Sequence, residues 1–187
     1  MKKAGQFAAF GAALCLTFNA MAAPQESATL RFYNLHTDEH IIVPHRQGQN
    51  VSRDANWFLR DFRRGERANM DPALFDLLLE LQQALKQRHP TLQIEYQVVS
   101  GYRAPATNND LRNAGGSQAK DSQHTHGKAI DIRVPGISTA ELRNVATCLK
   151  AGGVGYYAAD KFVHVDTGRV RYWPSHAYLQ TLNCNSI

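Results

Sequence analysis

The chain has 187 residues and carries 21 lysines and arginines against 16 aspartates and glutamates. Its net charge of +5 falls to +3 when Lys2 and Lys3 are set aside as part of a leader, because 19 basic residues then face 16 acidic ones. This small excess does not indicate a nucleic-acid-binding protein. It is compatible with work on an anionic polymer, although ordinary solubility explains it more simply.

The first residues have the pattern of a secretory signal peptide. Two lysines precede an apolar run from Phe7 to Phe18, which is followed by the small-residue motif Ala20-Met21-Ala22. The run is too short for a comfortable membrane span. The sequence therefore predicts a signal peptide at residues 1–22, export from the cytoplasm, and one domain over residues 23–187 with no membrane span after cleavage.

The cysteines support an exported protein. Cys15 leaves with the leader, and Cys148 and Cys184 remain. Two cysteines in an exported chain favour a disulfide, which here would tie the C-terminal tail to the end of a helix.

The first half of the mature chain predicts two short strands and two helices. The strands cover residues 30–35 and 41–43, and a first helix covers residues 56–62. The second helix has clearer signals, with Asp71 as N-cap, a proline in its first turn and a stop before Pro90. Its leucines recur at helical spacing and predict a core-facing stripe: Leu74, Leu77, Leu78, Leu81 and Leu85.

The second half predicts a strand over residues 92–98 and a polar, glycine-containing segment over residues 111–120. A capping box then opens a helix at Ser138, and Gly152 and Gly153 end it. A strand follows over residues 162–166, and residues 167–173 predict a turn and a returning strand. Trp173 could wall a cleft or belong to the core.

The stretch from Ser122 to Asp131 has the pattern S-x-H-x-x-G-x-A-x-D. Its second half alternates apolar and polar residues, which is typical of a half-buried strand. Asp131 would then face a cleft, where it and His124 are plausible ligands for one divalent metal.

His164 is the candidate third ligand because it lies in the second alternating run. If the two strands pair, opposed side chains lie about 4.5–5.5 Å apart at Cβ. Three protein ligands with one open position are typical of catalytic zinc. Spacing alone is moderate support, since eight histidines produce some chance pairs.

The ten-residue pattern resembles the signature of the LAS zinc peptidases, which include D-alanyl-D-alanine carboxypeptidases, phage endolysins and murein endopeptidases. The resemblance implies that His124, Asp131 and His164 bind zinc, and His126 falls on a variable position. The segment Ser100-Gly101-Tyr102-Arg103 also matches, which implies that Arg103 stabilises an oxyanion or clamps a carboxylate.

Three further segments are similar to the YcbK-like branch of murein endopeptidases, and the similarity runs from about Thr29 to Pro174. They are residues 34–39, 58–63 and 164–173. The resemblance implies an α+β fold of the Hedgehog/D-Ala-D-Ala peptidase type, in which a small antiparallel sheet carries the ligands and helices pack on its other face. It also implies a periplasmic enzyme that hydrolyses peptidoglycan stem-peptide crosslinks, notably those joining two diaminopimelate residues. We expect this enzyme to be a monomer.

Other activities stay open at this stage. The chain could be a D-alanyl-D-alanine carboxypeptidase, an endopeptidase for the D-Ala–diaminopimelate crosslink, or a non-catalytic zinc-containing cell-wall binding module. The last reading is favoured by a departure from the wider pattern, because many members have a catalytic Glu or His at the positions of Lys161 and Phe162. Asp166 is the candidate general base, with orientation of a ligand histidine as its other possible role. Glu39 or His36 could serve instead if their turn folds over the cleft.

Overall fold

The computed structural model describes residues 28–174, Leu179 and residues 182–184. The predicted signal peptide at residues 1–22, Cys15 included, lies outside the described residues. Among the helices that the structure describes, none combines the length and the apolar character that a bilayer crossing requires.

The described chain forms seven strands, four α-helices and one short 3-10 helix between α3 and β4. In chain order these are β1 (Ala28–Asn34), β2 (His40–His45), α1 (Arg53–Phe58), α2 (Pro72–Arg88), β3 (Tyr96–Ser100), α3 (Pro105–Asn113), the 3-10 helix (Gln123–His126), β4 (Ala129–Arg133), α4 (Thr139–Leu149), β5 (Gly153–Tyr157), β6 (Phe162–Asp166) and β7 (Arg171–Trp173).

All seven strands belong to one sheet, in the order β2-β1-β3-β4-β6-β5-β7. The central strands β3, β4, β6 and β5 are antiparallel, as expected, but β1 pairs parallel to β3 and β5 pairs parallel to β7. The α+β class is therefore correct, whereas the prediction of a small antiparallel sheet is wrong for its outer parts. The β1–β3 pair is parallel because the chain between them, which holds α1 and α2, crosses over instead of forming a hairpin.

The hydrophobic core lies between one face of the sheet and helices α2 and α4. The predicted leucine stripe of α2 is buried throughout. From the sheet, Ile130, Ile132, Val163 and Val165 enter the same core and are at most 1% exposed. Because side chains alternate along a strand, the residues between them point to the opposite face, where the site lies.

The bounds of the strands and helices differ from the predicted ones by a few residues, and some of the differences have a clear cause. Helix α1 begins at Arg53 because the Ser52 hydroxyl caps it by accepting a hydrogen bond from the Ala55 amide. Strand β3 begins at Tyr96, since the Leu92 amide still donates to the His89 carbonyl in a turn. Helix α3 was not predicted, because it is nine residues long and too polar for an apolar stripe.

Cys148 and Cys184 form a disulfide, with their Cα atoms 5.5 Å apart. Cys148 lies in the last turn of α4, so the bridge fixes a C-terminal segment to that helix.

Candidate metal centre and its cleft

Strands β4 and β6 bring two of the predicted ligands together. Asp131 and His164 are direct partners in the antiparallel register, so their side chains emerge side by side from the face opposite the core. The Asp131 Oδ1 atom lies 2.9 Å from His164 Nδ1. Both residues are only 6% exposed.

His124 reaches the same point from the 3-10 helix that precedes β4. Its Nε2 atom lies 3.1 Å from His164 Nδ1 and 3.3 Å from Asp131 Oδ1. Gly127 ends the 3-10 helix with a φ of 67°, a left-handed conformation that favours glycine. A Cβ at this position would lie 2.8 Å from the Asn69 carbonyl oxygen, so the pattern requires glycine for close packing as well.

Hydrogen bonds behind the two imidazoles fix which nitrogen faces the site. His124 Nδ1 lies 2.7 Å from the Gly101 carbonyl oxygen, which can only accept, so Nδ1 carries the proton and the Nε2 lone pair is directed at the cluster. His164 is arranged the other way round, because its Nε2 lies 2.8 Å from Asp166 Oδ2 and its Nδ1 faces the site. Such partners are typical of metal-binding histidines.

The geometry and the donor set fit a zinc ion. Bonds of about 2.0–2.2 Å to a tetrahedral zinc would place neighbouring ligand atoms roughly 3.3 Å apart. The three observed separations, 2.9, 3.1 and 3.3 Å, lie near that value. Among the described residues, His124, Asp131 and His164 form the group of histidine and carboxylate side chains arranged to hold an ion.

The electrostatics of the cluster also favour a bound cation. Burial alone would raise the pKa of the Asp131 carboxyl, but His124 and His164 outweigh burial and hold that pKa well below its usual range. Burial alone would lower the pKa of His164, but its hydrogen bonds to Asp131 and Asp166 raise it. Asp131 therefore stays anionic beside the two imidazoles, and a divalent cation competes with a proton for the histidine lone pairs.

Asp166 shares the face of His164, as the alternation predicted, but its carboxylate is fully buried. Arg171 donates two hydrogen bonds to this carboxylate, of 2.7 and 3.0 Å, and the Gly153 and Gly168 amides donate to its Oδ1. Burial would raise the pKa of Asp166, yet the hydrogen bonds from His164 and Arg171 lower it well below the usual range. A carboxylate with both oxygens occupied and no exposed surface is badly placed to take a proton from a water molecule in the cleft. This geometry is unfavourable for a general base and fits the other expected role, the orientation of His164.

Arg103 lies beside the cluster with an incomplete set of partners. It is 9% exposed, and its Nη2 lies 3.9 Å from Asp131 Oδ2. Its contacts to Asn108 and Ser100 are long, at 3.3 and 3.4 Å, and its buried Nε has no hydrogen-bond acceptor in the described chain. Burial lowers the pKa of Arg103 and the charge of Asp131 opposes that shift. A buried guanidinium with spare donors is suited to an anionic ligand or a developing oxyanion.

The cluster opens into a cleft of about 310 Å³. One wall is aromatic, with Tyr157 stacked on Phe162 at 4.4 Å and Trp173 lying 5.1 Å from the His164 ring. The Trp173 Nε1 donates to the Tyr157 hydroxyl, so Trp173 walls the cleft. The cleft is lined by Arg103, Ser117, Gln118, Ala119, Asp121, Ser122, Gln123, His124, Asp131, Tyr157, Phe162, His164, Arg171 and Trp173.

The alternative bases from the N-terminal turn do not line the cleft. The Glu39 carboxylate is engaged by Thr37 and Arg60, and His36 Nε2 contacts the Val99 carbonyl oxygen. Sequence reasoning missed Asp121, which lines the cleft and whose Oδ1 lies 2.6 Å from His126 Nε2. Its position three residues before His124, within the metal loop, was an available signal.

Sequence comparison places the chain among cell-wall peptidases. Residues 22–173 match the protein family Peptidase_M15_2, described as peptidoglycan L,D-endopeptidase MepK. The peptidoglycan L,D-endopeptidase MepK of Escherichia coli K12 is 40% identical over 171 residues, which cover 88% of this chain and 91% of that protein. The probable peptidoglycan L,D-endopeptidase MepK of Haemophilus influenzae is 35% identical over 158 residues, covering 82% and 83%. No solved structure matches the chain.

Proposed function

The chain belongs to the Peptidase_M15_2 family of the peptidoglycan L,D-endopeptidase MepK, and from that premise we propose that it is a zinc-dependent murein endopeptidase. Its substrate is the peptidoglycan stem-peptide crosslink, specifically the link between two diaminopimelate residues. The observation that carries this proposal is the convergence of His124, Asp131 and His164 at the floor of a cleft that also holds Arg103.

In this proposal His124 Nε2, Asp131 Oδ1 and His164 Nδ1 hold the zinc ion. When bound, zinc supplies a lowered water pKa and polarisation of the scissile carbonyl. The hydrogen bond from His124 to Gly101 and that from His164 to Asp166 keep the correct lone pairs directed at the site. The three ligands leave one side open toward the cleft, where the peptide binds.

Arg103 binds the oxygen of the scissile carbonyl in the same proposal. Its guanidinium is held next to Asp131, and its unused donors can strengthen their hydrogen bonds as that oxygen gains negative charge. Because the group is already buried and ordered, little reorganisation is needed during the reaction.

Asp121 is the proposed proton acceptor. Apart from Asp131, it is the one carboxylate among the described residues that line the cleft. Its side chain is 84% exposed, so it can meet a water molecule, and it can return the proton to the leaving amine.

Asp166 is a positioning residue, and its substitution should act through the metal. Asp166→Asn removes the negative charge that His164 and Arg171 share as a hydrogen-bond partner. Without that charge His164 is held less firmly in its orientation. We expect zinc affinity and activity to fall together, each by about 10- to 100-fold. The measurement is a zinc titration against a competing chelator, run beside hydrolysis rates at the same buffered zinc concentrations. A normal zinc affinity with a collapsed rate would instead identify Asp166 as the base.

The remaining organisation follows from the sequence and the family. We propose that residues 1–22 direct export to the periplasm and are removed, and that residues 23–187 act as one monomeric domain with a Hedgehog/D-Ala-D-Ala peptidase-like fold. The Cys148–Cys184 disulfide suits that oxidising compartment.

The test of the proposed function is mass-spectrometric muropeptide profiling. Sacculi rich in diaminopimelate–diaminopimelate links are incubated with the mature protein, with chelator, and with chelator followed by zinc. We expect chelator-sensitive, zinc-restored loss of those dimers and the appearance of the matching monomers. Loss of terminal D-Ala alone would identify a carboxypeptidase, and loss of D-Ala–diaminopimelate dimers the other endopeptidase. Binding without turnover by the zinc-loaded protein would identify a binding module.

A further inference from the structure

Arg63 is held in a three-layer stack beside the cleft. The segment between α1 and α2 carries Phe62, whose ring lies 4.1 Å from His36 and nearly parallel to it, at 14°. The Arg63 guanidinium lies 4.3 Å from the centre of the same ring. The His36 ring and the Arg63 guanidinium are both too close to the Phe62 ring to lie on the same side of it, so Phe62 is sandwiched between them. A guanidinium over an aromatic face is ordered and still keeps its donors in the ring plane available.

This stack is attached to the segment that carries Arg103. The Asp61 carboxylate accepts hydrogen bonds from the Arg63 amide at 3.0 Å and from the Ala104 amide at 2.9 Å. Asp61 itself is only 2% exposed, so this link is protected from water. On the other side of the sandwich, His36 Nε2 lies 3.0 Å from the Val99 carbonyl oxygen in β3. The position of Arg63 relative to the cleft is therefore fixed at both ends.

The charge of Arg63 is not neutralised. Its neighbours Arg60 and Arg64 form ion pairs with Glu39 and Asp110, but Arg63 has no ion pair with any residue that the structure describes. It is exposed, and its charge contributes, after burial, to lowering the pKa of Arg103. The Arg63 guanidinium is thus within electrostatic range of Arg103, which lines the cleft, and the two suit a ligand that has a carboxylate next to an oxygen that gains negative charge.

The proposed substrate has that charge pattern. Each diaminopimelate carries two amines and two carboxyls, and the crosslink uses one carboxyl of one residue and one amine of the other. The carbon that bears the scissile nitrogen therefore keeps its own free carboxylate, next to the bond to be cut.

Building on the proposed function, we propose that Arg63 binds the free carboxylate on the leaving-amine side of the crosslink, while Arg103 binds the scissile carbonyl oxygen. Arg63 is thus a specificity-determining residue that selects crosslinks with an unmodified carboxylate. Carboxamide forms of the same crosslink, which lack the charge, are poorer substrates.

The test compares Arg63→Gln with the wild-type protein on two synthetic crosslinked peptides that differ only in that carboxylate or carboxamide. We expect a roughly tenfold loss of kcat/KM on the carboxylate peptide, mainly through KM, and less than a twofold change on the carboxamide. Arg67→Gln is the matched control, because Arg67 is an exposed arginine of the same segment. We expect this substitution to leave both rates unchanged. Phe62→Leu keeps the charge but removes the stacking surface, and should give an intermediate loss. Equal losses on both peptides, or none, would overturn the proposal.

A binding measurement separates this proposal from the proposed function. Calorimetric affinities of the same two peptides are measured for the wild-type protein and for Arg63→Gln in the presence of chelator, which stops turnover. If the wild-type protein cleaves neither peptide, the endopeptidase proposal fails, and a carboxylate-dependent affinity lost in Arg63→Gln still supports the role of Arg63. Equal affinities for the carboxylate and carboxamide peptides, in both the wild-type protein and Arg63→Gln, would refute that role.

Discussion

Replacing Asp131 by alanine is expected to abolish hydrolysis while the protein remains folded. The substitution removes the carboxylate that lies between His124 and His164, and it leaves those imidazoles and Arg103 without their shared counter-charge. Loss of the metal's electrostatic contribution, several kcal/mol, corresponds to more than about a thousandfold in rate. His124→Ala should behave in the same way.

The fold should survive because the ligands project from the face of the sheet opposite the core. The neighbours Ile130 and Ile132, which do enter the core, are unchanged. Hydrolysis, zinc content by elemental mass spectrometry and circular dichroism are measured on the same preparations. His40→Ala is the matched control, because that imidazole is 63% exposed on β2 and should leave zinc content and rate unaltered. Wild-type rates in both ligand variants would rule out the proposed metal centre.

Asp121→Asn is expected to lower turnover by about 10²- to 10⁴-fold with zinc content unchanged. The carboxamide keeps the size of the side chain and its place at the cleft, but it cannot accept the proton. The effect should lie in kcat, because Asp121 is exposed at the rim and is not a ligand.

The comparison with Asp166→Asn makes this assignment testable. Both variants convert a carboxylate to an amide, but Asp121 lines the cleft, whereas Asp166 is buried behind His164. We expect a rate defect without a zinc defect in the first and parallel defects in the second. Asp160→Asn, on the exposed turn between β5 and β6, is the control. Wild-type turnover in Asp121→Asn would require another proton acceptor.

Much of the site follows from local pattern in the sequence. The alternation around Asp131 and around His164 is a period-two signal that any half-buried strand must carry, so it predicts the faces correctly. The two residues then lie opposite each other as register partners, because a shift by one residue would turn both apolar sets out of the core. Helix α2 was equally predictable, since its cap, its proline and its leucine stripe are all local features.

The sequence could not decide what surrounds those residues. Alternation places Asp166 on the face of His164 but does not predict its other partners. These are Arg171 in β7 and the Gly153 amide in β5, which contact Asp166 because β5 lies between β6 and β7 in the sheet. Gly153, predicted as a helix stop, lies so close that a Cβ would collide with the Asp166 carboxylate. Those contacts are the reason that we propose a positioning role for Asp166 instead of the role of a base.

The candidate ligand set, the core stripe and the pairing of two strands were thus predictable from the sequence itself, because side-chain periodicity and capping are properties of neighbouring residues. The mixed sheet, the placement of Asp121 at the cleft and the Phe62 sandwich that holds Arg63 were decided only by the tertiary structure. Each depends on contacts between segments that are distant in the chain. The free energy that stabilises those contacts comes from burial of the shared hydrophobic core, to which all of the segments contribute.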